Sequence, residues 1–252
     1  MAGRREFIRT ELLLGKKAMD ALEQSTVAVF GIGGVGSHCA EALVRSGVGR
    51  LILIDSDEVS ETNINRQCVA YRSTVGEKKT KVMEKIIGEI CPDTQVLTFE
   101  TFVLKDNLSE IFEAAGRVDY IVDAIDTVTA KLSLVAYAKE HGIPIISSMG
   151  TGNKLHPELF QIADIEKTSV CPLCRVMRKE LKTRGLGGLT VLFSAEKPLE
   201  PDPVLMEQLM NEEMGEGSSR RSIPGSISFV PPAAGLLIAG KVVRDLAGTD
   251  GR

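Results

Sequence analysis

The stretch VAVFGIGGVGSHCAEALVRSGVGRLILIDSDEVSETNINRQ, Val27 to Gln67, decides the fold. It opens on a short apolar run, TVAVF (Thr26–Phe30), that reads as a buried strand. Gly31, Gly33 and Gly36 then give G-x-G-x-x-G, with Gly34 inside the turn, directly before a helical run, SHCAEALVRSG. That order brings backbone N–H groups and a helix N-terminus against a phosphate. Arg50–Asp55 (RLILID) is the next strand, and Asp55 closes it, where an acidic side chain bonds ribose hydroxyls. The segment beyond it departs from a dinucleotide site. Asn63, Asn65, Arg66 and Gln67 are amides and a guanidinium with little apolar content between them, and Lys79 starts the next helix. A pyrophosphate is satisfied by the glycine turn, whereas a triphosphate needs cations for its outer groups. Arg66 and Lys79 supply them, and Asp57 or Asp126 is placed to hold Mg²⁺.

The rest of the chain extends the alternation. Helices are expected over Glu6–Gln24, Glu77–Cys91, Asn107–Gly116 and Thr129–Gly142, and strands over Thr94–Thr101, Tyr120–Ile125 and Pro144–Gly150. This predicts an α/β, Rossmann-like, mostly parallel sheet with helices on both faces. After about Gly152 the rhythm changes. LFQIADI and LTVLFS read as extra strands, CPLCRVMRKELKTRG as a helix, and 196–225 as a long mobile loop rich in Pro, Glu, Ser and Gly.

Composition narrows the class. The 252 residues suit one large α/β domain, and a net charge of −4 does not advertise a nucleic-acid binder. Five cysteines, an odd number, suit a reducing, cytoplasmic setting better than a disulfide framework. The N-terminal 25 residues are charged and carry no signal-peptide core. The apolar run in FVPPAAGLLIAGKVVRDLAG stops at Lys241, so a buried or dimer-interface helix is expected rather than a membrane span.

GIGGVG…LIDSDEVSETNINRQ…VGEKKTKV…DAIDT resembles the adenylating enzymes related to the activators of ubiquitin-like proteins, the E1-like HesA/MoeB/ThiF superfamily. That resemblance covers about Glu6 to Gly152. It implies ATP in this crevice, attacked at the α-phosphate by a substrate carboxylate. By it, Gly33 and Gly36 face phosphate, Asp55 holds ribose, Asn63, Arg66 and Lys79 bind the phosphates, and Asp126 sits near the metal. It also implies a homodimer in which Arg9, in IRTEL, reaches the other subunit's site.

DIEKT…CPLCRVMRKELK with SIPGSISFVPPAAG resembles one subfamily over nearly the whole chain, the tRNA threonylcarbamoyladenosine dehydratases. The implied reaction is ATP-dependent cyclisation of N6-threonylcarbamoyladenosine in tRNA, with net loss of water. On this reading the chain is one domain: 1–152 binds ATP, and 153–252 binds substrate and dimerises. A monovalent cation and a sulfur-transfer or cysteine desulfurase system enter as further expectations of the resemblance.

The alternative is adenylation of the C-terminal glycine of a ubiquitin-like sulfur carrier, and a third reading is an NAD-binding regulator without catalysis. Enzymes acting on sulfur carriers hold a structural zinc with two C-x-x-C pairs. Here Cys171 and Cys174 form one pair with no cysteine after them, so a packing role is expected. Cys68, beside Gln67, is read as a small buried side chain. Arg178, Lys179 and Lys182, with Arg220 and Arg221 in the loop, make a basic stretch on an acidic chain and are expected to contact tRNA.

Overall fold

The computed structural model describes residues 5–214 and 224–249. Seven strands form one sheet: β1 (Thr26–Phe30), β2 (Arg50–Ile54), β3 (Gln95–Phe99), β4 (Tyr120–Asp123), β5 (Ile145–Ser148), β6 (Phe160–Asp164) and β7 (Thr190–Ser194). Their order is β3-β2-β1-β4-β5-β7-β6. Every pairing is parallel except β6 against β7. The two strands outside the βα rhythm therefore extend the same sheet.

The helices are α1 (Ile8–Leu14), α2 (Lys16–Glu23), α3 (Gly36–Arg45), α4 (Lys79–Ile90), α5 (Leu108–Ala115), α6 (Val128–Glu140), α7 (Pro172–Thr183), α8 (Pro203–Met214) and α9 (Val230–Leu246). Strand side chains alternate between faces, which sorts the core into layers. Val27, Val29, Leu51 and Leu53 pack with Cys39, Leu43, Ile87 and Ile238 from α3, α4 and α9. Ala28, Phe30, Ile52 and Ile54 point the other way, onto Leu108, Phe112 and Leu134 of α5 and α6. A third cluster packs Cys174, Met177 and Leu181 of α7 against Val191 and Phe193 of β7.

Two expectations are corrected. The helix expected over Glu6–Gln24 is two helices, broken where Gly15 takes φ 80°. The loop expected over 196–225 contains α8. Asp202 Oδ1 accepts from the amides of Val204 (2.9 Å) and Leu205 (3.2 Å), and Pro203 opens the first turn. That is an Asp N-cap with Pro at the first helical position. Val204 and Leu205 are exposed, so no buried face betrayed the helix as an apolar period.

Among the described residues no helix is long and apolar enough to cross a membrane. α9, the apolar C-terminal run, buries Ala234, Ile238 and Val242 against α3.

Candidate active site

The strand order reverses between β1 and β4, and the carboxyl ends of these two strands diverge into a crevice of about 370 Å³. The three motif glycines do different work there. Gly31 takes φ 88°, which only a glycine adopts without strain, and makes the tight turn. At Gly33 a Cβ would meet only Gln67 Nε2 at 3.8 Å, so the backbone here lies open to a ligand. Gly36 is placed otherwise than expected. A Cβ there would come within 1.7 Å of Gly31 O, and the residue does not line the crevice. It lets α3 pack closely on the turn. Gly34 lies under α9, where a Cβ would sit 2.9 Å from Pro231 Cβ.

Asp55 ties the turn to the second strand. Its Oδ2 accepts from Ile32 N–H at 2.6 Å and its Oδ1 from Asp57 N–H at 2.8 Å. Burial raises its carboxyl above the ordinary value, opposed by the Lys79 cation and by those two amides. Lys79, at the first turn of α4, is buried, and its Nζ reaches Asp57 Oδ2 at 2.8 Å.

The NINRQ segment forms a compact wall. Asn63 is buried, and its Oδ1 accepts from Ser60 N–H at 3.2 Å, closing a capping box. Arg66 lines the crevice, with Nη1 donating to Thr62 O at 2.8 Å and Asn65 Oδ1 at 2.9 Å. Gln67 is buried, and its Oε1 has no hydrogen-bond partner. A buried polar atom left unpaired costs about 1–3 kcal/mol, so this carbonyl is a natural acceptor for a ligand donor. Asp126 follows β4, is exposed, and lines the crevice.

Several features escaped the sequence reading. Asn65 Nδ2 donates to Ser226 O at 3.0 Å, and Gly225 N–H donates to Asn153 Oδ1 at 2.6 Å. Pro224, Gly225 and Ser226 thereby become a crevice wall. Beneath the floor, Lys131 of α6 is fully buried. Its Nζ reaches Asp123 Oδ2 at 3.0 Å, Ser147 Oγ at 3.2 Å and Ser148 O at 2.8 Å. Asp123 Oδ1 accepts from Ile125 N–H at 3.2 Å, so this network holds the backbone leading to Asp126. The visible sign was a lysine between Ala130 and Leu132 on a helix that turns apolar residues inward.

Other expected residues lie away from the crevice. Arg9 is exposed on α1 and is not among the lining residues. Lys179 and Lys182 are exposed on α7. Arg178 is not deployed as expected: its Nη1 donates to Ile165 O, Thr168 O and Thr168 Oγ1 at 3.1, 3.0 and 2.6 Å. It fastens α7 to the preceding turn, and is half-buried. Arg220 and Arg221 lie outside the described residues.

The cysteines are all free thiols. Burial pushes the Cys68 thiol up to about 11, which suits a packed side chain rather than a nucleophile. Cys171 is the N-cap of α7. A hydrogen bond from Cys174 and the amides of Cys174, Gly150 and Leu173 bring its thiol down to about 6, against the opposing effect of burial. Cys174 is pushed up correspondingly. Among the described residues no third Cys, His, Asp or Glu donor groups with this pair, in keeping with a packing role.

Comparison with known proteins agrees with the geometry. The model of the ThiF family matches residues 7–251. The chain is 42% identical over 242 residues to the tRNA threonylcarbamoyladenosine dehydratase of Bacillus subtilis, covering 96% of this chain and 94% of that one. Its fold is similar to a crystal structure of E. coli tRNA N6-threonylcarbamoyladenosine dehydratase in complex with ATP. That match has a TM-score of 0.85 and 32% identity, covering 100% of this chain and 97% of the other. Likeness to the E. coli sulfur carrier protein ThiS adenylyltransferase is more distant, at 28% identity over 60% of this chain and 62% of that one. The chain belongs to the ThiF family and, within it, to the tRNA threonylcarbamoyladenosine dehydratases.

Proposed function

We propose that the chain binds ATP in the β1/β4 crevice and uses it to cyclise N6-threonylcarbamoyladenosine in tRNA. The observation that carries this reading is the pairing of an open glycine turn with Lys79 and Arg66 on one crevice, in a chain similar over 96% of its length to a tRNA threonylcarbamoyladenosine dehydratase.

Hydroxide is a poor leaving group from a carboxylic acid, and AMP is a good one. The threonyl carboxylate attacks the α-phosphate, the bond to the β-phosphate oxygen breaks, and pyrophosphate leaves. A nucleophile within the same modified base then attacks the activated carbonyl. AMP departs and the ring closes with net loss of water. The protein's share is placement and charge. Gly33 offers backbone to the phosphates, Asp55 takes a ribose hydroxyl, and Lys79, Arg66 and Asn63 meet the departing charge. Asp126 offers an exposed carboxylate of the oxygen type that Mg²⁺ prefers, and such an ion would neutralise phosphate charge. No enzyme thioester is required, which fits the raised Cys68 thiol.

Arg9 acts in this scheme from a second copy. It sits on α1 among Ile8, Leu12 and Leu13, which are 57%, 82% and 84% exposed, an apolar strip suited to burial in a homodimer. Lys179 and Lys182 provide phosphate-backbone contacts to tRNA, in the cytoplasm where tRNA is handled.

The test is mass spectrometry of nucleosides from tRNA treated with the protein and ATP. The expected product is lighter than N6-threonylcarbamoyladenosine by one water, with one pyrophosphate released per turnover. Unchanged tRNA, together with pyrophosphate exchange driven by a Gly-Gly-tailed sulfur carrier, would reverse the assignment.

A further inference from the structure

We infer that His38, Glu41 and Cys68 form a binding site for a divalent transition-metal ion of the zinc class, next to the Arg66–Gln67 phosphate wall. Among the described residues this is the one group of three or more His, Cys, Asp or Glu donors whose ligand atoms all lie within 4.8 Å of one another. It lies outside the nucleotide crevice, none of whose lining residues it includes, and does not depend on the function proposed above.

The donor set points to the kind of metal. One imidazole nitrogen, one carboxylate oxygen and one thiol sulfur suit zinc and its neighbours, and do not suit Mg²⁺ or Ca²⁺, which take oxygen ligands. Three protein donors with a fourth position left to solvent is the pattern of an open zinc site. All three residues are half-buried, so an ion has access from solvent yet is partly shielded from it.

The scaffold holds the donors independently of any ion. His38 and Glu41 stand at i and i+3 on α3 and so share one face of the helix. Cys68 is brought to them by the chain after Gln67, where its amide donates to Ser37 Oγ at 3.3 Å. His38 Nε2 lies 3.2 Å from Arg66 O. A carbonyl only accepts, so this contact puts the proton on Nε2 and leaves Nδ1 as the unprotonated nitrogen. An imidazole whose second nitrogen donates to a backbone carbonyl is the usual arrangement behind a metal ligand.

Glu41 has a second claim on it. Its Oε1 accepts from Arg45 Nε and Nη2, each at 2.8 Å. That pair is largely exposed on the arginine side and is weak, so it does not bar the Glu41 carboxylate from a metal. When the ion binds, the Cys68 thiol releases its proton to solvent and the thiolate sulfur donates its lone pair. Through the His38 ring and the Cys68 backbone, the ion would then fix Arg66 and Gln67 from behind.

The experiment uses tag-free, full-length, metal-free protein and Co²⁺ as a spectroscopic probe, with Zn²⁺ as competitor. One equivalent of Co²⁺ should give a thiolate-to-cobalt charge-transfer band, raise the thermal midpoint, and lose both on addition of Zn²⁺. Cys68→Ser should lose the band. Glu41→Gln, at a half-buried helix position, should weaken binding by about tenfold or more while circular dichroism stays unchanged. Cys171→Ser/Cys174→Ser should keep the band. The proposal fails if wild type shows no band, if the band survives in Cys68→Ser, or if it disappears with Cys171 and Cys174 instead.

Discussion

Lys79 Nζ lies 2.8 Å from Asp57 Oδ2, yet the lysine side chain is 7% exposed and the aspartate 64%. The two ends of this pair live in different media. The cation is fixed inside the crevice by its burial and by the first turn of α4, while its counter-ion is the solvated partner. A phosphate oxygen can therefore take the place of Asp57 without Lys79 moving, and the protein reorganises little when charge develops on the leaving group.

Lys79→Ala and Arg66→Ala should each lower ATP–pyrophosphate exchange about a hundredfold or more. The fold should tolerate both, because Arg66 is a crevice-lining side chain and Lys79 has an exposed partner. Exchange rates set beside thermal midpoints check this. Exchange that survives both changes would remove the phosphate assignment.

The glycines separate folding from binding. Gly36→Ala drives a methyl group into Gly31 O, a backbone atom that cannot step aside, and should cost at least about 1–3 kcal/mol of stability. Gly33→Ala meets only an ordinary contact with Gln67 and should leave stability within about 0.5 kcal/mol of wild type. Its loss should appear in nucleotide affinity instead. Urea midpoints and nucleotide titration distinguish the two, and equal stability losses would contradict the assigned roles.

The NINRQ segment was legible from its run of amides and a guanidinium in the loop after the second strand. The glycine turn and Asp55 were legible because each directly follows a strand, and strand ends converge by the topology of a parallel sheet. The parallel layers were legible for the same reason, from alternating βα runs. Gly36 was misread because a motif glycine that admits a phosphate and one that admits a helix look alike until Gly31 O is in place. Arg178 was misread because a basic helix face looks uniform in sequence, whereas Thr168 and Ile165 select one residue from it. The α8 helix was missed because its cue was the Asp202–Pro203 cap and not an apolar period. The Asp123–Lys131–Ser147 network joins three elements across the sheet, and no spacing rule connects them.

That network gives a coupling prediction. Lys131→Met leaves Asp123 buried without its cation and should cost about 3–5 kcal/mol. Adding Asp123→Asn removes the stranded charge and should recover much of that loss, since a buried ion pair replaced whole is often nearly neutral. The double variant should keep much of its activity, because the amide oxygen that Asp123→Asn retains can still accept from the Ile125 N–H ahead of Asp126. Denaturant midpoints of both singles and the double test the cycle. Simple additivity would show that the two side chains are not acting as a pair.

Cys171 links stability to pH. Its thiol titrates near 6 in the fold, against an ordinary value of 9.0. Between these values the unfolded chain holds a proton that the folded chain has released, so stability rises with pH. The contribution is fully present above about pH 9 and is lost as pH falls through about 6. Denaturant midpoints across this window should show a slope in wild type that flattens in Cys171→Ser. An unchanged slope would mean that the amides of Leu173, Cys174 and Gly150 do not hold a thiolate.

The α7 surface tests the substrate. Lys179 and Lys182 are exposed, while Arg178 is turned inward to Thr168, so two charges rather than three face solvent at these positions. Each lysine that meets a phosphate releases about one counterion, and the logarithm of tRNA affinity falls with the logarithm of salt in proportion to their number. Lys179→Glu/Lys182→Glu should therefore weaken tRNA binding and flatten its salt slope by up to about two. Arg178→Lys should leave that slope unchanged and lower the thermal midpoint, because a lysine cannot reproduce the contacts with Ile165 and Thr168. Nucleotide binding should be untouched in the double variant, since neither lysine lines the crevice. A salt titration of tRNA affinity for wild type and both variants settles the matter. If the double variant keeps the wild-type slope, α7 is a solvated face and tRNA docks elsewhere; if Arg178→Lys changes it, the guanidinium reaches phosphate despite its hold on Thr168.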